Sequence, residues 1–272
     1  MLHQFSYAAP RSKSELFSIL NDQEGKAKVL AGGTDLLVNI RNGVMKPQLV
    51  VDLKKVSGYE GISYSSSEGL IFRPTVTINE ILKDPAVRDH YPLLQECGHD
   101  LASYQIRNRA TIMGNVVNAS PCSDMAPALL CLGARAIIAS IQGTREVSFR
   151  EFFTGVKKTV LSPTEVLETI VIPPNAAGAK GTYKKLKRIN GHDLGIVGVA
   201  VSIKNDVLRI AVSSAAPTPV VTPDLSASIS FEDAVAATKK IISPISDVRC
   251  SKEYREFMVE VFVKRLLAEV RK

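Results

Sequence analysis

No Cys-x-x-Cys pair occurs in the 272 residues, although the chain carries four cysteines, Cys97, Cys122, Cys131 and Cys250. Their spacing argues against an iron–sulfur cluster or zinc site held within this chain and for free thiols in a reducing compartment. The four histidines, His3, His90, His99 and His192, form no His-x-x-x-His or His-Glu-x-x-His, which disfavours a zinc hydrolase. A Gly-x-Ser-x-Gly elbow is missing, as are Gly-x-Gly-x-x-Gly and the P-loop pattern, so a serine hydrolase and the common nucleotide folds lose their sequence support. No paired carboxylates stand apart from ordinary surface charge. Apolar runs are too short to span a membrane. The start, Met1-Leu2-His3-Gln4-Phe5, lacks the charged head and apolar core of a secretory signal. The expected location is cytoplasmic, and the chain reads as one that holds a group able to do chemistry for it.

What is present is ordinary in bulk. A hydrophobic content of 45% and a charged content of 22% are those of a soluble globular protein, and the length suits two or three small domains. A net charge of +7 raises nucleic acid as a partner. The basic residues are dispersed, however, with one modest cluster at Lys184, Lys185, Lys187 and Arg188 and no aromatic-interleaved basic run. No nucleic-acid partner is expected; a dianionic cofactor or acidic partner subunits would use the same excess. The cluster itself reads either as solvated strand residues or as a cation beside an electron-rich ring.

Three segments emerge. Residues 1–55 form an α/β unit: a helix over 13–21 capped by Ser12 or Ser14, a strand over 28–31, the Gly32-Gly33 turn, a helix over 34–42 ending at Gly43, and a strand over 48–53. Residues 56–175 begin with β-like pieces such as 69–73. A helix follows over 78–82 with a Thr77/Glu80 capping box, then helices over 92–103 and 125–132, the latter with Asp124 as its cap. A hairpin spans 135–147, and a strand over 166–172 halts at Pro173-Pro174. After the linker at 173–182 the pattern changes to strands over 182–187, 196–204 and 207–213 and helices over 231–241 and 252–271. The last carries an apolar face of Val259, Phe262, Val263, Leu266, Leu267 and Val270. The expected class is α+β: a two-lobed unit, small α/β lobe plus larger α+β lobe, then a C-terminal domain (176–272) of a three-stranded antiparallel sheet with helices.

Two stretches are rich in groups that bind an anion or a sugar. One is Ala31-Gly32-Gly33-Thr34-Asp35, flanked by Leu30 and Leu36. The other, residues 105–124, holds Arg107, Asn108, Thr111, Gly114, Asn115, Asn118, Ser120 and Asp124. Glycines beside hydroxyl and amide side chains let a ligand reach backbone N–H donors. The expectation is that both close on one diphosphate. The hydroxyls of Thr75 and Thr77 read equally as ligand contacts or as part of a capped turn. Asp124 reads as a helix cap or as a carboxylate on ribose hydroxyls, and the two roles can coexist.

These stretches, taken with Gln105-Ile106-Arg107-Asn108-Arg109-Ala110-Thr111-Ile112-Met113-Gly114-Asn115 and Asn118-Ala119-Ser120-Pro121, resemble the FAD-binding medium subunit of the molybdenum hydroxylases, the xanthine dehydrogenase and aerobic carbon monoxide dehydrogenase type. Tyr183–Arg188, Asp193, Ala216-Pro217-Thr218-Pro219, Ser251 and Tyr254-Arg255 extend the likeness over nearly the whole chain. The resemblance implies that residues 31–35 and 111–115 supply donors to the FAD diphosphate, that Asp124 touches the adenosine ribose side, that Lys185 lies near the flavin ring, and that Ile106 or Leu161 packs beside it. It implies no catalytic residue of the chain's own. It further implies a small partner subunit with 2Fe–2S centres, a large molybdopterin partner, and NAD+ or another electron acceptor. Two departures stand out. Met113 replaces the first glycine of a usual Gly-Gly-Asn, and Cys122-Ser123 replaces small residues before Asp124. Met113 motivates the alternative, a non-redox assembly or interaction module that kept the fold without functional flavin.

Overall fold

The computed structural model describes residues 3–23, 25–189 and 191–272. In the first segment, short apolar strands alternate with helices, and the pattern folds into a three-stranded parallel sheet. β1 (Ser6–Ala8) and β2 (Ala27–Leu30) flank β3 (Leu49–Asp52). Helix α1 (Lys13–Asp22) is capped by Ser12, whose hydroxyl accepts from the Glu15 amide at 3.2 Å. It buries Leu16, Phe17 and Leu20. Helix α2 (Leu36–Arg41) starts two residues later than the sequence suggests, after a turn through Thr34 and Asp35 in which the Leu37 amide donates to the Gly33 carbonyl.

The middle segment builds a five-stranded antiparallel sheet and a helical layer. Strands β4 (Ile62–Ser65) and β5 (Gly69–Phe72) lead into α3 (Ile78–Lys83), α4 (Pro85–His90), α5 (Pro92–His99), α6 (Tyr104–Arg107), α7 (Ile112–Val117) and α8 (Met125–Cys131). The chain returns through β6 (Arg135–Ser140), β7 (Gly143–Ser148), the turn α9 (Phe149–Phe152), the ribbon β8 (Phe153–Gly155) with β9 (Lys158–Thr159), and β10 (Val166–Ile172). The large sheet runs β4-β5-β10-β6-β7. The Thr77/Glu80 capping box opens α3 as expected. α5 ends at His99 rather than near Ser103: Ala102 adopts φ +47°, and Ser103 caps α6 instead. Helix α8 is apolar on every face and all seven of its residues are buried, as an all-round hydrophobic helix must be.

The burial of α8 follows from the last segment. β11 (Lys180–Leu186), β12 (Val197–Lys204) and β13 (Val207–Ser213) are the three expected antiparallel strands. Two short additions, β14 (Val220–Val221) and β15 (Leu225–Ser226), both pair with β13 and make the sheet five-stranded. Along β12 the side chains alternate between two cores. Ala200, with Tyr183 and Ala211, joins the core holding α3, α5 and α8. Val199 and Val201 join a second core against α10 (Phe231–Lys239) and α11 (Lys252–Val270). Buried on both faces, β12 reads as an apolar run instead of an alternation.

Candidate functional site

The two polar stretches, some eighty residues apart in the chain, meet in space. A side-chain carbon added at Gly32 would lie 2.0 Å from the Arg109 carbonyl oxygen and 3.1 Å from the Ala110 Cα. Only a glycine permits this approach. A crevice of about 40 Å³ at the junction is walled by Ala31 and Gly32, by Asn108, Arg109 and Thr111, and by Lys54, Thr75 and Thr77. That volume holds a few waters at most, so the crevice marks the meeting point and not a whole cofactor groove. A larger cavity, about 110 Å³, lies between Cys131, Asn175, Lys204 and Arg209 and contains none of the residues expected to hold the cofactor. Arg209 there is already spent on Asp224, at 2.7 and 2.9 Å, and on the Cys131 carbonyl.

Donors at the junction are unevenly free. Among the described residues no acceptor meets the amides of Gly32, Gly33, Thr34, Asp35 or Leu36. On the opposite segment, Thr111 caps α7, its hydroxyl accepting from the Gly114 amide at 2.9 Å. The Ile112 amide donates to the Val76 carbonyl and the Asn115 amide to the Thr111 carbonyl. So of residues 111–115 only the Thr111 and Met113 amides lack an acceptor among the described residues. The jaws are unequal: the diglycine turn carries most of the open donors.

Met113 does not fill the junction. Its side chain is buried, 3% exposed, in the core beside α3, α5 and α8. Gly114 keeps its neighbourhood open, since an added side-chain carbon there would meet only the Thr111 hydroxyl, at 3.0 Å. Asn115 turns inward instead. Its Oδ1 accepts from the Ser123 hydroxyl at 2.6 Å and from the Met125 amide at 3.4 Å. The Ser120 hydroxyl accepts from the Cys122 amide.

Asp124 does not cap α8. Its side chain makes no cap bond, and the Ser123 hydroxyl accepts from the Ala126 amide in its place. The Asp124 carboxylate instead takes the Lys185 ammonium at 2.9 and 3.0 Å and the Tyr183 hydroxyl at 3.2 Å. Lys185 also donates to the Asp100 carbonyl, and Lys187 to the Asp100 carboxylate. The side chains of Lys185 and Asp124 are 3% and 11% exposed. Burial pushes the Asp124 carboxyl above its ordinary range, with Lys185 and Tyr183 pulling the other way. Burial, then the Asp124 charge, drives the Tyr183 phenol up. Asp124 and Lys185, which the resemblance assigns to the adenosine ribose side and to the flavin ring, are in direct contact as one ion pair. Ile106 and Leu161 are both half-buried against the principal core.

Lys54 and Lys157 escaped the sequence reading. Lys54 reaches the Ala31 carbonyl at 3.3 Å while paired with Asp52 at 2.7 Å. Burial raises the Asp52 carboxyl, but hydrogen bonds from Lys54 and Tyr7 outweigh it and hold the group below its usual value. Thr75 and Thr77 line the crevice and also serve the turn, Thr75 by bonding the Tyr59 carbonyl and Thr77 by capping α3. The capped-turn reading of those hydroxyls holds. Lys157, at the tip of the β8–β9 ribbon, lies in a stretch that carries no motif.

Residues 3–175 match the family described as FAD binding domain in molybdopterin dehydrogenase, and residues 181–270 match the CO dehydrogenase flavoprotein C-terminal domain. The carbon monoxide dehydrogenase medium chain of Hydrogenophaga pseudoflava is 31% identical over 97% of this chain and 96% of its own. The nicotine 6-hydroxylase medium subunit of Paenarthrobacter nicotinovorans is equally similar, 31% over the same shares. The fold superimposes on a chain of the crystal structure of Cu,Mo-CO dehydrogenase in its cyanide-inactivated form. The TM-score is 0.92 at 27% identity, covering 100% of this chain and 99% of that one.

Proposed function

The chain belongs to the FAD-binding family of the molybdopterin dehydrogenases, an oxidoreductase flavoprotein subunit, and from that premise we propose how it works. FAD is its cofactor; when bound, it supplies a ring that takes up electrons singly and releases them in pairs. We assign the diphosphate to the junction of the diglycine turn and the Thr111 segment. The observation that carries this is the row of five open amides, Gly32 to Leu36, brought by Gly32 against Arg109. Consecutive amides with the Thr111 hydroxyl beside them, whose proton is not spent on another group among the described residues, are the donor set a dianion requires. The Asp124–Lys185 pair then acts as a unit at one end of the cofactor. Asp124 holds the ammonium in place.

In this reading the chain is the middle member of a complex. Electrons arrive from 2Fe–2S centres of a small partner, fed by a molybdopterin partner that oxidises substrate, and leave to NAD+ or another acceptor. Relatives named for carbon monoxide and for nicotine are equally similar to this chain, which fits a substrate pocket on another polypeptide. The alternative of a flavin-free module rests on Met113, and with that side chain in the core the departure gives it no support. The test is reconstitution of the purified chain with FAD. Uptake of about one flavin per chain and a yellow protein are expected; a colourless protein that takes up none overturns the reading. Mixing the flavinated chain with candidate partners and following reduction of NAD+ tests the electron route.

A further inference from the structure

A carboxylate at the start of a helix is drawn to the free amides gathered there. Asp35, whose own backbone is already helical at φ −101° and ψ −48°, accepts from none of them. It is held elsewhere: the Asn118 Nδ2 donates to its Oδ1 at 2.9 Å, and the Asn118 Oδ1 in turn accepts from the Lys157 ammonium at 3.0 Å. One amide orientation satisfies both neighbours, N–H toward the carboxylate and carbonyl toward the cation. Lys157 is itself placed by an unusual backbone. It adopts φ +58° and donates its amide to the carbonyl of Ala119, which adopts φ +45°. Two non-glycine residues in the left-handed region, bonded to each other, carry a conformational cost that the surrounding structure must offset. Three segments, the diglycine turn, the end of α7 and the β8–β9 tip, are thereby clasped at one point.

We propose that Asn118, backed by Lys157, is a positioning residue that keeps the Asp35 carboxylate off the amides of residues 32–36, so that those donors stay free for the FAD diphosphate. The inference rests on the FAD reading above. Without the clasp, Asp35 swings inward, fills the donors it flanks and sets a negative charge against an incoming dianion. The chain then carries an internal competitor for its own cofactor.

The test uses the full chain, stripped of flavin, with FAD affinity read by fluorescence titration and stability by thermal unfolding without FAD. Asn118→Ala is expected to weaken FAD binding roughly five- to tenfold, the scale of one helix cap converted to affinity, while the flavin-free melting temperature stays level or rises. Asp35→Ala is expected to bind at least as tightly as the parent. The double variant Asp35→Ala/Asn118→Ala is expected to match Asp35→Ala, so the two changes are strongly non-additive. Lys157→Met, at an exposed site, provides an independent variant and is expected to move affinity in the same direction by a smaller factor. Unchanged affinity in both Asn118→Ala and Lys157→Met overturns the inference. So does a loss in Asn118→Ala that persists in full in the double variant, because Asn118 would then act on its own account. A parent chain that takes up no FAD overturns the function reading itself, a distinguishable result.

Discussion

Gly32 carries the convergence of the two stretches, and the demand on it is for space, not for a special φ. With the Arg109 carbonyl 2.0 Å from where a side-chain carbon would sit, even alanine must drive the turn away from the Thr111 segment. Gly32→Ala should cost about 1–3 kcal/mol, the range for overpacking a close contact, and should reduce FAD uptake more than it reduces stability. Melting temperatures with and without FAD separate the two effects, and a variant as stable and as FAD-competent as the parent would show that the approach is dispensable. The diglycine was legible in the sequence as a backbone-approach site. Which atom approaches was not, because the partner, Arg109, lies 77 positions away from Gly32. Met113 is the opposite case. In the sequence it stands out as a departure from the usual Gly-Gly-Asn that motivates a flavin-free alternative; in the fold the side chain points to the core side of α7, and the direction of a side chain on a short helix is set by packing that spacing alone does not reveal.

Elements begin and end where local chemistry says, except where a distant partner claims the capping residue. The strand over 166–172 and the strand over 207–213 fall as the apolar runs predict, and the Thr77/Glu80 box opens α3. At α8 the expected cap, Asp124, is taken by Lys185, 61 positions away, and its neighbour Ser123 caps instead. The two residues should therefore fail differently. Ser123→Ala should cost about 1 kcal/mol, the value of one cap. Asp124→Ala should cost about 3–5 kcal/mol, because it leaves a buried ammonium unpaired. Urea denaturation of both variants decides; equal losses would mean that the Asp124–Lys185 pair contributes little. The segment leading into α11 makes a pH prediction. Asp247 lies between Arg249 and the fully buried Arg255, at 2.7 and 2.8 Å, and Arg255 also donates to the Ile196, Ser214 and Ile245 carbonyls. Burial raises the Asp247 carboxyl, but the hydrogen bonds and charges of the two arginines outweigh that and hold it well below the carboxylate range. A group lowered in the folded state adds stability above its unfolded value, near 3.9, and that stability drains as pH falls toward the folded value. Unfolding free energy should thus decline below about pH 4, and Asp247→Asn should flatten the decline; an identical acid profile in the variant would remove Asp247 as a source of acid sensitivity.

At the scale of the whole molecule, the covalent seam and the packing seam are in different places. The Pro173-Pro174 linker and the change of pattern after it were plain in the sequence, and they suggested a self-contained C-terminal domain. What the pattern could not convey is that β12, apolar on both faces, divides its side chains between two cores: Ala200 with α5 and α8, Val199 and Val201 with α11. A strand buried on one face and a strand buried on both look alike when the run is short and continuous. The consequence concerns stability. Removing residues after 175 would expose α8, none of whose residues meets solvent in the intact chain, and would leave Asp124 buried without Lys185. Each 100 Å² of apolar surface so exposed costs roughly 2.5 kcal/mol, against a marginal stability of about 5–15 kcal/mol for a domain this size. The fragment 1–175, although it spans the entire FAD-binding match, should accordingly aggregate or lack a cooperative transition, while the intact chain should melt the middle segment and the C-terminal sheet together. Calorimetry of the full chain, with hydrogen exchange followed at α8 and β12, reads this directly. Two resolved transitions in the full chain, or a fragment that melts cooperatively and binds FAD as the parent does, would show that the shared core is a contact between independent units and that the Asp124–Lys185 pair is not needed to complete the flavin site.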